Sequence, residues 1–397
     1  MEPLRFSHLS IVSSIGAGQA ATLSSLRSGF SGLRPCRFDT VDLAIFVGEV
    51  EALDGFELPQ RFAAFDCRNN RLAEMALVQD GFADAVAASV ARHGARRIGL
   101  FLGTSTSGIL QAELAYRARD AGTGKLPAGV DYERTHNTAS LATYLSQRLG
   151  ISGPAFVVSC ACASTAKVFA SAARMISAGL CDAAIVGGAD SLCLTTLYGF
   201  NALGLNAPGP CRPFDTARDG ISIGEAAGFA LLEKPQAAPA GDAIMLLGVG
   251  ESNDAYHMSS PHPEGLGAKL AMERALTAAG LAPGDVDYIN LHGTATRVGD
   301  AAEDLAVSGL FGNHTPCSST KGQTGHTLGA AGIVEAVISV LAIRHGLLPG
   351  GANTGVVDPS FRSRYQLASE PAGIATVLSN SFGFGGSNCS LIFGRNQ

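Results

Sequence analysis

The chain has 397 residues, of which 46% are hydrophobic and 16% are charged, so it can bury a large core and is not a disordered polymer. The 28 lysines and arginines against 34 aspartates and glutamates leave a net charge of −6, which argues against a nucleic-acid partner because the whole molecule repels a phosphate backbone. The first residues lack the apolar core of a signal peptide, and no apolar run approaches the roughly 20 residues of a membrane span, so we expect a soluble, cytoplasmic protein without a membrane partner.

Short apolar or β-branched runs alternate along the chain with longer helical patterns, which is typical of α/β folds with parallel strands. Five such runs are predicted strands, at residues 97–103, 155–159, 183–187, 286–291 and 375–379. Four segments rich in alanine, leucine and valine are predicted helices, at residues 72–92, 164–178, 267–279 and 332–344. In folds of this kind, the loops that follow the strands carry the chemistry.

Two parts of the chain are similar to each other. A predicted strand ends in Gly-Thr-Ser-Thr at residues 103–106, and another ends in Gly-Thr-Ala-Thr at residues 293–296. This similarity predicts two related α/β halves. The stretch 234–241, rich in proline and alanine, is the most linker-like of the chain, so we place the halves at residues 1–240 and 241–397.

The nine cysteines are odd in number, and most lie inside apolar runs, where a free cysteine behaves as a small buried hydrophobic residue. A disulfide framework is therefore not expected. The one close pair, Cys160 and Cys162, has neither a second Cys-x-x-Cys motif nor a histidine pair at zinc-finger spacing. We accordingly predict no metal site.

The segment 158–166 runs from an apolar strand through small residues into a helix, which places a cysteine at the N-terminus of that helix. Unpaired amides and the positive end of the helix dipole favour a thiolate there and can bind an oxyanion. This arrangement suits acyl transfer through a thioester. A buried structural cysteine is the alternative interpretation.

Three further segments carry candidate functional residues. His292 follows a predicted strand, and Lys321 and His326 lie in a glycine-rich stretch that lacks the GxxxxGK[ST] order of a phosphate loop, so nucleotide binding is not indicated. The turn 380–388 places glycines around Phe384 and can present backbone amides. The alternative interpretation of His292 is a core histidine whose hydrogen bonds are satisfied, and that of the turn 380–388 is a tight turn before the last strand.

In combination, these segments resemble the elongating β-ketoacyl-[acyl-carrier-protein] synthases of the thiolase superfamily. The resemblance spans nearly the whole chain and includes residues 11–16, 212–220, 224–228 and 253–258. It implies a thiolase-like fold, with two pseudo-duplicated α/β halves in an αβαβα arrangement of layers. It also implies decarboxylative condensation of an acyl chain, held as a cysteine thioester, with malonyl-[acyl-carrier protein]. The product is a β-ketoacyl-[acyl-carrier protein] in fatty acid or polyene and polyketide elongation.

The resemblance implies a role for each matching residue. Cys162 is the expected nucleophile, and Cys160 has no catalytic role. The backbone amides of Cys162 and Phe384 are expected to form the oxyanion hole. His292 and His326 are expected to donate hydrogen bonds to the enolate that decarboxylation leaves.

Other implied roles concern support and substrate binding. Lys321 is expected to organise the site electrostatically, with Glu303 as its partner, because a lone buried ammonium is costly. Thr294 and Thr296 match residues that bind the pantetheine arm, and Phe384 matches a gating aromatic. Arg297 departs from the pattern, since many members of the family have proline there.

Several alternatives stay open at this point. One alternative is a non-catalytic subunit resembling a chain-length factor. Such a subunit would lack the nucleophile, whereas this chain has all four catalytic residue types. The segment from Lys321 to His326 argues against an initiating synthase and against a thiolase. The acyl chain length and the pathway are undetermined, although residues 104–110 are expected to line the acyl pocket.

The resemblance also implies partners. An acidic carrier protein needs a local basic patch for docking, and the candidates are Arg68, Arg71 and Lys125. No cofactor is expected on this chain, because the carrier brings the phosphopantetheine. We expect a homodimer with the strand 155–159 near its two-fold axis, and a heterodimer with a related subunit is the alternative.

Overall fold

The computed structural model describes residues 1–235 and 243–395. Its strands are β1 (Leu4–Ser13), β2 (Gly16–Ala17), β3 (Arg34–Pro35), β4 (Phe46–Gly48), β5 (Ile98–Gly103), β6 (Ala155–Val158), β7 (Ala183–Asp190), β8 (Ile223–Gly224), β9 (Ala226–Glu233), β10 (Ile244–Asn253), β11 (Tyr288–Asn290), β12 (Pro316–Ser318), β13 (Leu347–Leu348), β14 (Arg364–Tyr365), β15 (Glu370–Pro371), β16 (Thr376–Gly383) and β17 (Ser387–Arg395). Its α-helices are α1 (Gln19–Ser28), α2 (Arg68–Leu77), α3 (Phe82–His93), α4 (Ile109–Arg117), α5 (Ala139–Leu149), α6 (Ser164–Ser177), α7 (Leu194–Ala202), α8 (Leu266–Ala279), α9 (Arg297–Phe311), α10 (Lys321–Thr324) and α11 (Ala331–His345).

One large mixed sheet shows the predicted duplication in its strand order. The order in the first half is β6-β5-β7-β9-β1, and the second half repeats it as β12-β11-β16-β17-β10, with β14 added at the edge. In both halves the first three strands are parallel and the next two are antiparallel. The halves join where β1 pairs with β10 through only two residue pairs. The predicted boundary at residue 240 lies outside the described residues.

The equivalent strands explain why the candidate residues come together. The two Gly-Thr-x-Thr segments follow the equivalent strands β5 and β11. Cys162 follows β6 and precedes α6, while His326 follows β12 and precedes α11. Because α6 and α11 contact each other between the two halves, the loops that lead into these helices converge at one place.

The helices complete a layered αβαβα arrangement. In the middle layer, α6 contacts β5, β7, β10 and β17, and α11 contacts β9, β16 and β17. On the outer faces, α8 packs against β10 and β17, and α2 packs against β9 and β7. The segment Leu328–His345 is long and apolar enough to span a membrane by length and composition, but 89% of it is buried inside the molecule. It is the central core helix of this fold.

Most predicted elements agree with the structure, although one helix does not. The five predicted strands match β5, β6, β7, β11 and β16, and three predicted helices match α6, α8 and α11. The single helix predicted over residues 72–92 is wrong, because α2 ends at Leu77 and α3 begins at Phe82. Between them, Asp80 and Gly81 have positive φ angles of 56° and 69°, and this left-handed conformation interrupts a helix. All nine cysteines are free.

Arg68 is a structural residue and not the surface cation expected at a docking patch. Its exposed fraction is only 8%. Its guanidinium forms two hydrogen bonds of 2.8 and 2.6 Å with Glu225, and it also pairs with Glu49 and Asp54. The surrounding carboxylates offset the charge of Arg68, so its assignment to carrier docking is wrong.

The other two docking candidates lie nearer the surface. Arg71 is half-buried and pairs with Asp66 through Nε at 2.6 Å. Lys125 is exposed and forms no ion pair with any residue in the described ranges. Docking by Arg71 and Lys125 stays a prediction.

Replacing Arg68 by alanine should destabilise the fold strongly, since the fully buried Glu225 carboxylate would lose its ionic partner. We expect Arg68→Ala to lower the free energy of unfolding by about 3 kcal/mol or more. The half-buried pair of Arg71 and Asp66 supplies the control, for which Arg71→Ala should cost less than about 1 kcal/mol. Urea unfolding followed by circular dichroism measures both, and equal losses would contradict a dominant buried ion pair.

Candidate active site

Cys162 lies in a tight turn just before α6. Ala161 has a positive φ of 46°, which costs a residue with a side chain some backbone strain. Ser164 holds the turn, because its hydroxyl accepts the amide of Cys160 at 2.8 Å and donates to the carbonyl of Ala161 at 2.6 Å. This turn places the buried Cys162 side chain beside the two histidines.

The structure brings Cys162, His292 and His326 into direct proximity. Nε2 of His326 is 2.9 Å from Sγ of Cys162, and the centroids of the two imidazole rings are 5.4 Å apart with their planes at 88°. One donor atom from each residue lies within 4.8 Å of the other two. The backbone of His326 is fixed through its amide and carbonyl by Ser222 and Gly224.

The burial of this cluster keeps all three side chains uncharged at neutral pH. Desolvation raises the pKa of the Cys162 thiol to about 12, although the nearby Lys321 ammonium opposes that shift. Desolvation and then Lys321 hold the pKa of both His292 and His326 well below the usual range. The expected resting thiolate is therefore wrong, because the desolvation of Cys162 outweighs the favourable end of the helix dipole.

The sequence analysis named Glu303 as the partner of Lys321. In the structure, Lys321 is paired with Glu335 instead. The buried Nζ of Lys321 donates a hydrogen bond to Glu335, which projects from α11. Both carboxylate oxygens of Glu303 are occupied by backbone amides, those of His292 at 2.8 Å and Gly293 at 2.7 Å. Glu303 therefore fixes the loop that carries His292. A single glutamate within the apolar pattern of residues 331–343 was the signal that identifies Glu335 as a buried, paired group.

Two more carboxylates, which sequence reasoning did not assign, hold the loops around the site. Asp300 accepts hydrogen bonds from the backbone amides of Phe214 and Ala295, with lengths of 2.7 and 3.1 Å. Asp190 accepts hydrogen bonds from the three hydroxyls of residues 104–106, from the amides of Ser105 and Thr106, and from the amide of Gly329, three residues after His326. Each is a buried acidic residue at the end of a strand or the start of a helix, a pattern typical of acceptors for loop amides.

The backbone amide of Phe384 lies beside the Cys162 sulfur. Phe384 follows β16, and its backbone amide makes a hydrogen bond that lowers the pKa of Cys162 against the larger effect of burial. Its ring stacks on Phe200 with 5.7 Å between centroids. By contrast, the Cys160 sulfur contacts the Ser387 hydroxyl at 3.0 Å, so the two cysteines have different surroundings.

A cavity of about 350 Å³ reaches these residues from the surface. Cys162, His292 and His326 line it together with Phe384, Thr294 and Thr296. The hydroxyls of the two threonines are 3.1 Å apart. Residues 104–110 do not line this cavity, so an acyl pocket at those residues stays a prediction.

The Cys162 sulfur and one ring nitrogen each of His292 and His326 form a set of ligand atoms that zinc favours. However, Nδ1 of His292 and Nδ1 of His326 have no hydrogen-bond partner among the described residues, whereas histidine ligands of zinc normally have one. The positive charge of the nearby Lys321 ammonium would also disfavour a metal cation bound by these three side chains. The donor set thus fits a metal poorly, and the absence of a metal role stays a prediction.

Alkylation of Cys162 by iodoacetamide should depend steeply on pH. Because only the thiolate reacts and its pKa is raised to about 12, the rate should still be increasing above pH 10. Tandem mass spectrometry distinguishes Cys162 from Cys160 in the same peptide. The denatured chain is the control, in which the thiol should titrate near its ordinary value of about 8.5, and a rate that levels off below pH 8 in the folded protein would contradict the raised pKa.

Comparison with known proteins agrees with the geometry. Residues 55–238 match the family model of the N-terminal domain of β-ketoacyl synthases, and residues 244–354 match that of the C-terminal domain. The chain is 33% identical to 3-oxoacyl-[acyl-carrier-protein] synthase 2 from Vibrio cholerae, over 98% of this chain and 97% of the relative. It is 34% identical to nodulation protein E from Rhizobium leguminosarum bv. trifolii, over 96% of each chain.

A solved structure is similar over the whole fold. The ketosynthase ApeO from Xenorhabdus doucetiae, determined in complex with its chain length factor ApeC, matches with a TM-score of 0.90 and 37% identity, over 100% of this chain and 98% of that chain. The alternative of a non-catalytic chain-length-factor-like subunit is not favoured, since the matches are to synthases and the four expected catalytic side chains are present together. The chain belongs to the β-ketoacyl synthase family, whose members are condensing acyltransferases with a thiolase-like fold.

Proposed function

We propose that this chain catalyses the decarboxylative Claisen condensation of an acyl chain, held on Cys162, with malonyl-[acyl-carrier protein]. The observation that carries the proposal is the contact of 2.9 Å between the Cys162 sulfur and His326, with a second uncharged imidazole in the same cavity. The product is a β-ketoacyl-[acyl-carrier protein] in fatty acid or polyene and polyketide chain elongation.

The first step loads the acyl chain. The Cys162 sulfur attacks the thioester carbonyl, and its proton passes to the ring of His326. The new carbon–sulfur bond to Cys162 replaces the bond to the pantetheine sulfur, which leaves with the proton from His326. Amides of Cys162 and Phe384 stabilise the tetrahedral oxyanion, and such a donor typically contributes about 3 kcal/mol.

The second step forms the carbon–carbon bond. Loss of carbon dioxide leaves an electron pair on the malonyl thioester. The enolate oxygen accepts hydrogen bonds from an N–H of His292 and from His326, whose neutral ring carries its proton on Nε2 in this step and on Nδ1 in the loading step. The carbanion attacks the acyl carbonyl, the bond to Cys162 breaks, and the thiolate recovers a proton from water. Uncharged imidazoles suit this step because they donate hydrogen bonds without delivering a proton to the carbanion.

The remaining assignments complete the proposal. The pantetheine arm of the carrier passes along Thr294 and Thr296, and the ring of Phe384 separates the acyl and malonyl positions. No resident cofactor or metal enters the chemistry, because the phosphopantetheine arrives on the carrier. The setting is the cytoplasm, where free cysteines persist.

Acylation and decarboxylation assays with variants test the reaction. Incubation with acyl carriers of different length and unsaturation should add one acyl group to Cys162, detectable by mass spectrometry. Cys162→Ala should lose the adduct but still release carbon dioxide from malonyl carrier, since both histidines remain. His292→Ala and His326→Ala should lower condensation at least about 100-fold.

Cys160→Ser is the matched control, because Cys160 lies beside the nucleophile in sequence but contacts Ser387. It should retain both acylation and decarboxylation. Absence of any adduct at Cys162 in the unmodified chain, with every acyl carrier in the panel, would overturn the proposed reaction.

The chain is also proposed to work as a dimer through β6. This strand is at the edge of the large sheet, so one side of its backbone has no strand partner in the described chain. Ala155 is exposed, while Phe156 and Val158 are half-buried. A second copy supplies such a partner, and the complex of ApeO with its chain length factor supports a related subunit as the alternative.

Introducing a charge on β6 should disrupt the dimer. We expect the unmodified chain to have twice its subunit mass of 40.6 kDa by light scattering, and Ala155→Arg to be monomeric because like charges would meet at the interface. Leu305→Arg alters an exposed residue of α9 and should leave the mass unchanged. A monomeric unmodified chain that dimerises only with a related subunit would establish the heterodimer instead.

A further inference from the structure

Arg297 is an unpaired cation in the wall of the catalytic cavity. It is exposed at the start of α9, and no other lysine or arginine of the described residues lines the cavity. Two carboxylates line the same opening near Arg297. Asp254 accepts a hydrogen bond of 2.7 Å from the side-chain amide of Asn388. Asp219 pairs with Arg212 at 3.2 Å through Oδ2, while its buried Oδ1 has no hydrogen-bond partner among the described residues. Arg297 forms no ion pair within the described part of the chain.

The exposure of the cavity wall shows that Arg297 lies at its mouth. Cys162 and His292 are buried at the inner end, and Thr294 is also buried with 9% of its surface exposed. Thr296 is half-buried, and the next residue, Arg297, is exposed. Along this wall, the chain therefore leads from the reacting sulfur to the solvent and reaches a guanidinium at the surface.

The backbone below this guanidinium is held in place. The carbonyl of Arg297 accepts a hydrogen bond of 3.3 Å from Arg218, whose own guanidinium pairs with Asp358 at 2.6 Å and lies 4.5 Å above the ring of Phe361. The side chain of Arg297 thus extends from a fixed point and remains available to a ligand.

We propose that Arg297 binds the phosphate at the far end of the pantetheine arm, and so selects phosphorylated thioesters over simple pantetheine thioesters. This inference rests on the proposed function, since that reaction places the thioester at Cys162 and directs the arm past Thr294 and Thr296. The phosphate is the anionic group of the arm, and guanidinium binds phosphate oxygens in a planar, bidentate geometry. On a chain with a net charge of −6, an unpaired cation at the mouth offsets local repulsion of that anion.

Proline is the most informative replacement for Arg297. The first position of a helix tolerates proline, and Thr296 has φ −80° and ψ 141°, which is the extended conformation that a residue before proline adopts. Arg297→Pro should therefore remove the cation while leaving α9 intact. Arg297→Lys keeps the charge without the bidentate geometry, and Arg96→Ala removes an exposed arginine that precedes β5, away from the cavity.

Binding of pantetheine and of 4′-phosphopantetheine, measured by isothermal titration calorimetry, tests the proposal without requiring turnover. The unmodified chain and Arg96→Ala should bind the phosphorylated compound roughly fivefold more tightly, as expected for one solvent-exposed charge contact. Arg297→Pro should lose this preference, and Arg297→Lys should keep part of it. The preference for the phosphorylated compound should be smaller at 500 mM salt than at 50 mM salt, because ions at roughly 0.5 M screen the charges strongly.

Steady-state kinetics with the two thioesters provide a second measurement. Arg297→Pro should raise KM for the phosphorylated thioester roughly fivefold with unchanged kcat, and leave KM for the unphosphorylated thioester unaltered. An equal preference for phosphate in the unmodified chain and in Arg297→Pro would overturn the inference. So would an effect seen only with the intact carrier protein, because Arg297 would then contact acidic side chains of the carrier. Failure of the proposed reaction is distinguishable, since it would abolish the adduct at Cys162 while the binding preference persisted.

Discussion

The burial of the side chains at the loops that lead into α6 and α11 is the constraint on which the site depends. In such buried surroundings an isolated ammonium would be very costly, and Lys321 is retained there because Glu335 supplies the opposite charge. The pair then acts on its neighbours, since the ammonium favours uncharged histidines and lowers the cost of negative charge on Cys162. Burial and one internal ion pair together set the protonation state of the reacting groups before substrate arrives.

A second theme is the use of carboxylates as acceptors for loop amides. Asp190, Asp300 and Glu303 each hold backbone N–H groups of the loops that meet at the cavity. Burial raises the pKa of Asp300 to about 7, and the hydrogen bonds from the amides of Phe214 and Ala295 oppose that shift. The positions of His292 and of the turn at Ala295 are therefore fixed by groups that do not take part in bond making, which is how a site built on loops acquires a defined geometry.

Five strands and three helices could be identified from the sequence because apolar periodicity and glycine-rich strand ends are local signals. The interruption between α2 and α3 was missed although Asp80-Gly81 is a local turn signal, because the apolar and alanine-rich residues on both sides of it were interpreted as one continuous helix. The choice between Glu303 and Glu335 as partner of Lys321 also exceeds local information. It depends on where the fold places α11 relative to Lys321. Arg68 was misassigned for a similar reason, because the fold brings it to acidic residues that are distant in sequence.

The shared middle layer makes the two halves mutually dependent. Both α6 and α11 contact strands of the opposite half, whereas β1 and β10 join the halves through just two residue pairs. Either half synthesised alone would expose the apolar surface of its own central helix, and it would lack either Cys162 or both histidines. The contacts that hold the two halves together are therefore the same ones that bring the reacting groups together.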